Sequence, residues 1–211
     1  MSHMKRQMAP KNWPIPRKGT SFIVKPSQKG IPILIILRDI LKIAQNRKEV
    51  KNALHKKNIL LNGKEVRDEK GGVSLFDIIT IVPSKQNYQL CLSHRGKFDL
   101  KTVSDKEIYH KITKVINKTI LKGKKTQLNF NDGNNLISNI GCKVNDSILI
   151  NLKDRKAEKC LELKEKANVL VFAGKHSGEK GSINKIEGKI AELKVDNKIV
   201  KVLIKHLMVI E

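Results

Sequence analysis

Apolar and polar positions follow several different rhythms along the chain. Residues 1–30 have none: Pro10, Pro14, Pro16, Pro26 and Gly19 interrupt them, with Lys5, Arg6, Lys11, Trp13, Arg17 and Lys18 in between. Proline removes an N–H donor and fixes φ, so regular helix is blocked there. A segment with so little to bury is expected to stay an extended arm until a partner orders it. Ser21 to Lys25 reads as a short strand. Leu34, Leu37, Leu41 and Ala44 then recur at helical spacing behind Pro32, a residue suited to a first helical turn. A second helix is expected after Asn46, which forms a capping-box type of pair with Glu49. Its apolar face is Val50, Ala53 and Leu54, and its polar face carries Arg47, Lys48, Lys51, His55, Lys56 and Lys57. Asn62-Gly63 between Ile59–Leu61 and Lys64–Val66 predicts a two-residue hairpin turn. Val73 to Val82 returns as a strand, with a helical turn around Leu75–Asp77.

From residue 88 the rhythm is mostly that of strands. Tyr88 to Leu92 alternates, Ser104 with Glu107 predicts one short capped helix, and two strands flank a Lys-Gly-Lys-Lys tip at residues 122–125. A turn cluster at residues 131–134 precedes a final strand from Ser147 to Leu152. These short strands point to a small barrel or sandwich. Residues 166–211 read as a further five-strand barrel pattern: Val169 to Phe172, a Gly-rich loop over 174–182, Ser182–Ile186, Ile190–Val195, an Asp196-Asn197 turn and Ile199–Ile204.

Composition changes this picture most through charge. The 211 residues include 43 basic and 20 acidic ones, a net charge of +23. The excess is spread as +7, +5, +7 and +4 over residues 1–30, 31–87, 88–165 and 166–211, and the first of these holds no acid at all. Such a field attracts polyanions and argues against an enzyme of small neutral metabolites. A spanning helix needs about 20 apolar residues, whereas the longest apolar run is Ile31 to Leu37, so no membrane association is expected. Neither a secretory signal nor a mitochondrial presequence is expected, the latter because of the prolines. Cys91, Cys142 and Cys160 are widely spaced with no CxxC pair, fitting a reducing cytoplasm and small buried hydrophobes.

Candidate chemistry is sparse. The loop Gly174-Lys175-His176-Ser177-Gly178-Glu179-Lys180-Gly181 resembles a phosphate cradle, but Glu179 stands where a P-loop needs its second glycine. The plain reading is a tight turn requiring φ > 0 at glycine; a second reading has Lys175, His176 and Lys180 on that turn touching a nucleic-acid backbone. The six histidines are scattered and no nucleophile has an adjacent base, so neither catalysis, nor a metal, nor a cofactor nor a small-molecule substrate is expected. The eight aromatics are dispersed rather than clustered for base stacking, so binding to nucleic acid is expected to rest on phosphate contacts and on the shape of a folded RNA or DNA. The basic face of the second helix and the adjoining Lys64 and Arg67 form the candidate contact; a merely solvated charged face is the alternative. For Trp13, stacking on a base and packing on the neighbouring module both remain open.

The string from Met4 to Lys18 resembles the start of the small-subunit ribosomal protein family S4e of archaea and eukaryotes. The likeness continues through Ile31–Leu41, Asn62-Gly63-Lys64 with Arg67-Asp68, Asp77-Ile78-Ile79, Asn117-Lys118-Thr119, Lys122-Gly123, Gln127-Leu128-Asn129 and Asn131-Asp132-Gly133. It closes at Gly174–Ile183, which is similar to a KOW motif. The resemblance implies an α+β, multi-module fold: a basic arm and first helix over 1–39, an S-four-type RNA-binding domain over 40–87, a central β-rich domain over 88–165 and a KOW-type, SH3-like barrel over 166–211. It implies a cytoplasmic structural protein that binds small-subunit ribosomal RNA beside neighbouring ribosomal proteins, with Arg47, Lys48 and Lys51 presented to RNA. A non-ribosomal RNA-binding factor, in transcription elongation or RNA modification, is the alternative.

Overall fold

A computed structural model describes residues 3–104, 107–123, 125–138, 140–195 and 198–210. The chain divides into two compact units, residues 1–91 with 97–109 and residues 92–96 with 110–211. It is mostly β-strand with few helices, so α+β describes it only loosely. Among the described residues no helix is long and apolar enough to cross a membrane.

The first unit begins with the segment expected to be a disordered arm. Strand β1 (His3–Lys5) pairs antiparallel with β2 (Phe22–Val24), and the loop between them carries Ala9, Trp13 and Ile15 into the core. This corrects the expectation: four apolar side chains, counting Ile23, are enough to fold the arm onto the unit's own core. The loop is held by its arginines. Arg6 donates from Nε and Nη1 to the carbonyls of Thr20 and Pro16 at 2.7 and 3.0 Å, and from Nη2 to Thr20 Oγ1 at 2.6 Å. Arg17 Nη1 donates to the Ala9 carbonyl at 2.8 Å.

Strand β3 (Ile31–Pro32) leads into helix α1 (Ile33–Ile35), which widens into a π-helical stretch over Ile36–Ile40. Ile33 to Leu37 are 0–2% exposed, because a run with no polar position until Arg38 buries all round rather than on one stripe. The helix stops short of Ala44, since Lys42 turns to φ 55°. Helix α2 (Arg47–His55) starts as expected: Asn46 accepts from the Glu49 N–H at 3.0 Å, and the Glu49 carboxylate accepts from Asn46 Nδ2 and the Gln45 N–H. Val50 and Leu54 face the core.

Strands β4 (Ile59–Leu61) and β5 (Lys64–Glu65) form the expected hairpin, with Asn62 and Gly63 both at positive φ. Strand β6 (Gly72–Val73) pairs with β3, and β7 (Ile78–Ile81), β8 (Gln86–Leu92) and β9 (Phe98–Thr102) complete a sheet in the order β5-β4-β7-β8-β9. Strand β8 runs unbroken through residue 88.

In the second unit, β10 (His110–Ile120), β11 (Thr126–Phe130), β12 (Asn135–Ile137), β13 (Ser147–Asn151) and β14 (Lys156–Leu161) form a sheet in the order β12-β11-β10-β13-β14. Two expectations bear on this part of the chain. The short helix expected between Ser104 and Glu107 lies partly outside the described residues, and residues 107–109, at the end of the first unit, are turn. The strand from Ser147 is not the last, because β14 pairs with it from Lys156 to Leu161. A second sheet holds β15 (Asn168–Val171), β16 (Lys180–Glu187), β17 (Ile190–Val195), β18 (Lys198–Leu203) and β19 (Leu207–Val209), in the order β18-β17-β16-β15-β19. The expected Asp196-Asn197 turn lies outside the described residues.

Two buried lysines on β10 shape this unit. Lys111, 3% exposed, pairs with Asp132. Burial alone would raise the Asp132 carboxyl, but Lys111 and Asn134 outweigh it and hold the carboxyl low. Lys114, 2% exposed, donates from Nζ to the carbonyls of Ile204 at 2.6 Å and Leu207 at 2.8 Å, and burial pushes its pKa down to about 8.

Candidate nucleic-acid interface

The polar face of α2 is where the charge is densest. A helix turns 100° per residue, so Lys48, Lys51 and His55 fall near one line while Val50 and Leu54 point inward. Arg47, Lys48, Lys51, Lys56 and Lys57 are all exposed, as are Lys64 and Arg67 beyond the helix. These cations are not equivalent. Arg47 bonds the Glu69 carboxylate (Nε at 2.8 Å), and Lys51 Nζ lies 4.0 Å from the same oxygen. Glu69 is 3% exposed, so this pair fixes the helix N-terminus to the segment before β6. Lys57 reaches Glu65 at 3.0 Å, tying the end of α2 to the hairpin. Lys48, Lys56, Lys64 and Arg67 have no ion pair among the described residues and face solvent.

In the arm, Lys5, Lys11 and Lys18 are exposed, whereas Arg6 and Arg17 brace the loop. Trp13 is 3% exposed, and a ring so enclosed offers no face to a base. Its packing role is realised and its stacking role is withdrawn, because the arm's few apolar groups must fill the core for it to fold. In the second unit, Lys175 and Lys180 are exposed, and His176 Nδ1 lies 3.1 Å from Glu179 Oε1. Gly178 sits at φ +95°, where a Cβ would come within 2.1 Å of the Ser93 carbonyl. The loop is thus a tight, close-packed turn, and it leads into strand β16, leaving no helix N-terminus to meet a phosphate.

Sequence reasoning missed Glu69, since nothing local marks a carboxylate that pairs with a residue 22 positions away. It also missed Lys114, which looks like any strand lysine. No group of three or more His, Cys, Asp or Glu side chains suited to a metal occurs among the described residues.

The model of the ribosomal family S4e matches residues 84–157, and that of the RS4NT domain matches residues 2–28. The small ribosomal subunit protein eS4 of Methanocella arvoryzae is 38% identical over 192 residues, 88% of this chain and 81% of that protein. Its counterpart in Archaeoglobus fulgidus is 36% identical over 186 residues, 86% of this chain and 78% of the relative. The crystal structure of the 30S ribosomal protein S4e from Thermoplasma acidophilum superposes with a TM-score of 0.74 at 25% identity, covering 85% of this chain and 94% of that one.

Proposed function

Because the chain belongs to the ribosomal S4e family, we propose that it is a structural constituent of the small ribosomal subunit, acting in the cytoplasm. Its task is to hold ribosomal RNA, and it catalyses no reaction. One observation carries the mechanism: Lys48, Lys56, Lys64 and Arg67, on and beside α2 and its hairpin, are exposed with no carboxylate partner among the described residues, while Glu69, which takes Arg47, is turned inward. Lysines without internal partners neutralise phosphates and release counterions. Closely packed RNA backbones repel each other, and cations placed between them lower that repulsion.

In finer detail, residues 40–87 are read as an S-four-type RNA-binding domain, 88–165 as a central β-rich domain and 166–211 as a KOW-type barrel, preceded by the basic segment 1–39. Lys5, Lys11, Lys18, Lys48, Lys51, Lys56, Lys57, Lys64, Arg67, Lys175 and Lys180 are assigned direct phosphate contacts. Arg6, Arg17 and Arg47 add charge while serving the fold, and His176 is assigned a hydrogen-bond contact to the RNA backbone from its turn. Neighbouring ribosomal proteins are further partners.

Sedimentation of a cell lysate through sucrose tests this reading. Stoichiometric co-migration with the small subunit that persists in a high-salt wash is expected. Loss in high salt, or migration near the top of the gradient, would instead mark a loosely bound factor.

A further inference from the structure

The first unit contains a hollow of about 280 Å³ between the β1–β2 ribbon and the helical stretch Ile33–Ile40. That is slightly below the roughly 300–1,000 Å³ of sites for drug-sized ligands. One wall is apolar, from Ile23, Leu34 and Ile35. At the rim stands Phe22, 54% exposed in a chain with only eight aromatic residues. The ring of His3 meets it edge-on, with centroids 4.7 Å apart and planes at 74°.

Register explains why Phe22 is outside. In β1–β2, Met4 opposes Ile23 and both pack against the core, whereas Lys5 and the Phe22 opposite it are exposed, as is His3; Val24, opposite His3, still packs against the core. Folding therefore places a lysine opposite an aromatic ring that stays more than half exposed. The ribbon next to Phe22 is cationic. Arg6 spends three of its five N–H donors on the oxygens of Thr20 and Pro16, none of them charged. Its charge is thus held in place without being neutralised, and two donors are left over. Arg38 is different, since Asp39 takes its charge at 2.8 Å.

We propose that this hollow is a nucleotide site, taking one unpaired base of the bound RNA on the Phe22 ring with the adjacent phosphate on Arg6 and Lys5. The assignment rests on the RNA-binding reading above and adds to it a contact that depends on stacking rather than on charge. Stacking tolerates any base, because every base has a π face.

The test measures the full chain binding an in vitro transcript of the small-subunit ribosomal RNA from its own source organism, over a series of salt concentrations. Phe22 is more than half exposed, so Phe22→Ala is expected to fold, with an unchanged circular dichroism melt. Its affinity is expected to fall about tenfold, with the salt slope kept. Phe22→Trp, which retains a stacking face, is expected to bind as the parent does. Equal affinities of the parent and Phe22→Ala would overturn the nucleotide site while leaving RNA binding intact. A Phe22→Trp variant as weak as Phe22→Ala would overturn it too, by showing that ring shape and not stacking matters. A parent chain that does not bind the transcript would instead sink the RNA-binding reading on which the site depends.

Discussion

At the scale of single residues, the largest consequences come from side chains that the fold encloses. Trp13 is the main apolar anchor of the N-terminal loop, and removing a buried tryptophan leaves a cavity as well as losing burial. Trp13→Ala is expected to destabilise the chain by about 3–5 kcal/mol in urea unfolding; an unchanged midpoint would mean that the loop packs without it. Lys114 is of a different kind. Its folded pKa is about 8 against an ordinary 10.5, so between these values the unfolded chain binds more protons than the folded one. Stability from this group therefore rises as pH climbs from about 8 toward 10.5. Neutral lysine still has two N–H donors for the carbonyls of Ile204 and Leu207, so the contact survives deprotonation. Wild type is expected to gain stability over that window relative to Lys114→Met, as measured by urea unfolding at successive pH values. Parallel curves would remove the burial cost from the account.

At the scale of elements, α2 combines two jobs on one helix. Its N-terminus is fixed by Asn46 and by the Arg47–Glu69 pair, while Lys48, Lys51 and His55 face outward. Replacing Lys48 and Lys51 together by alanine removes two exposed charges without touching Val50 or Leu54. Alanine also favours helix, so the element itself is expected to persist. RNA affinity is expected to fall, and the slope of log K against log salt to flatten by up to about two. An unchanged slope would remove this face from the interface. The ribbon β1–β2 makes the complementary point. Two three-residue strands are too short to be stable alone, and they persist because the loop between them delivers Trp13 and Ile15 to the core.

At the scale of the whole molecule, a net charge of +23 means that attraction to polyanions is present before any specific contact forms. If six or more of the exposed lysines meet phosphates, affinity for ribosomal RNA is expected to drop by about a thousandfold or more between 50 and 200 mM salt. A filter-binding series over that range checks this, and a shallow dependence would mean that far fewer phosphates are engaged. Both compact units carry part of the charge, so truncating one is not expected to abolish the effect.

Local patterns in the sequence already determined several elements. The Asn46 cap, the Asn62-Gly63 hairpin, the Gly-rich turn and most strands depend on a few neighbouring residues, and short-range chemistry reads directly from the chain. Charge is a sum over residues, so the polyanion partner was legible too, as was the family through its ordered motifs. Tertiary structure alone decided the rest. Whether the proline-rich segment folds depends on a core assembled from residues as distant as Leu90. Whether a lysine is free, paired like Lys111 or buried like Lys114 depends on the strands that close around it. A cation's partner is set by long-range packing, and no periodicity along one segment records what another segment will bring to it.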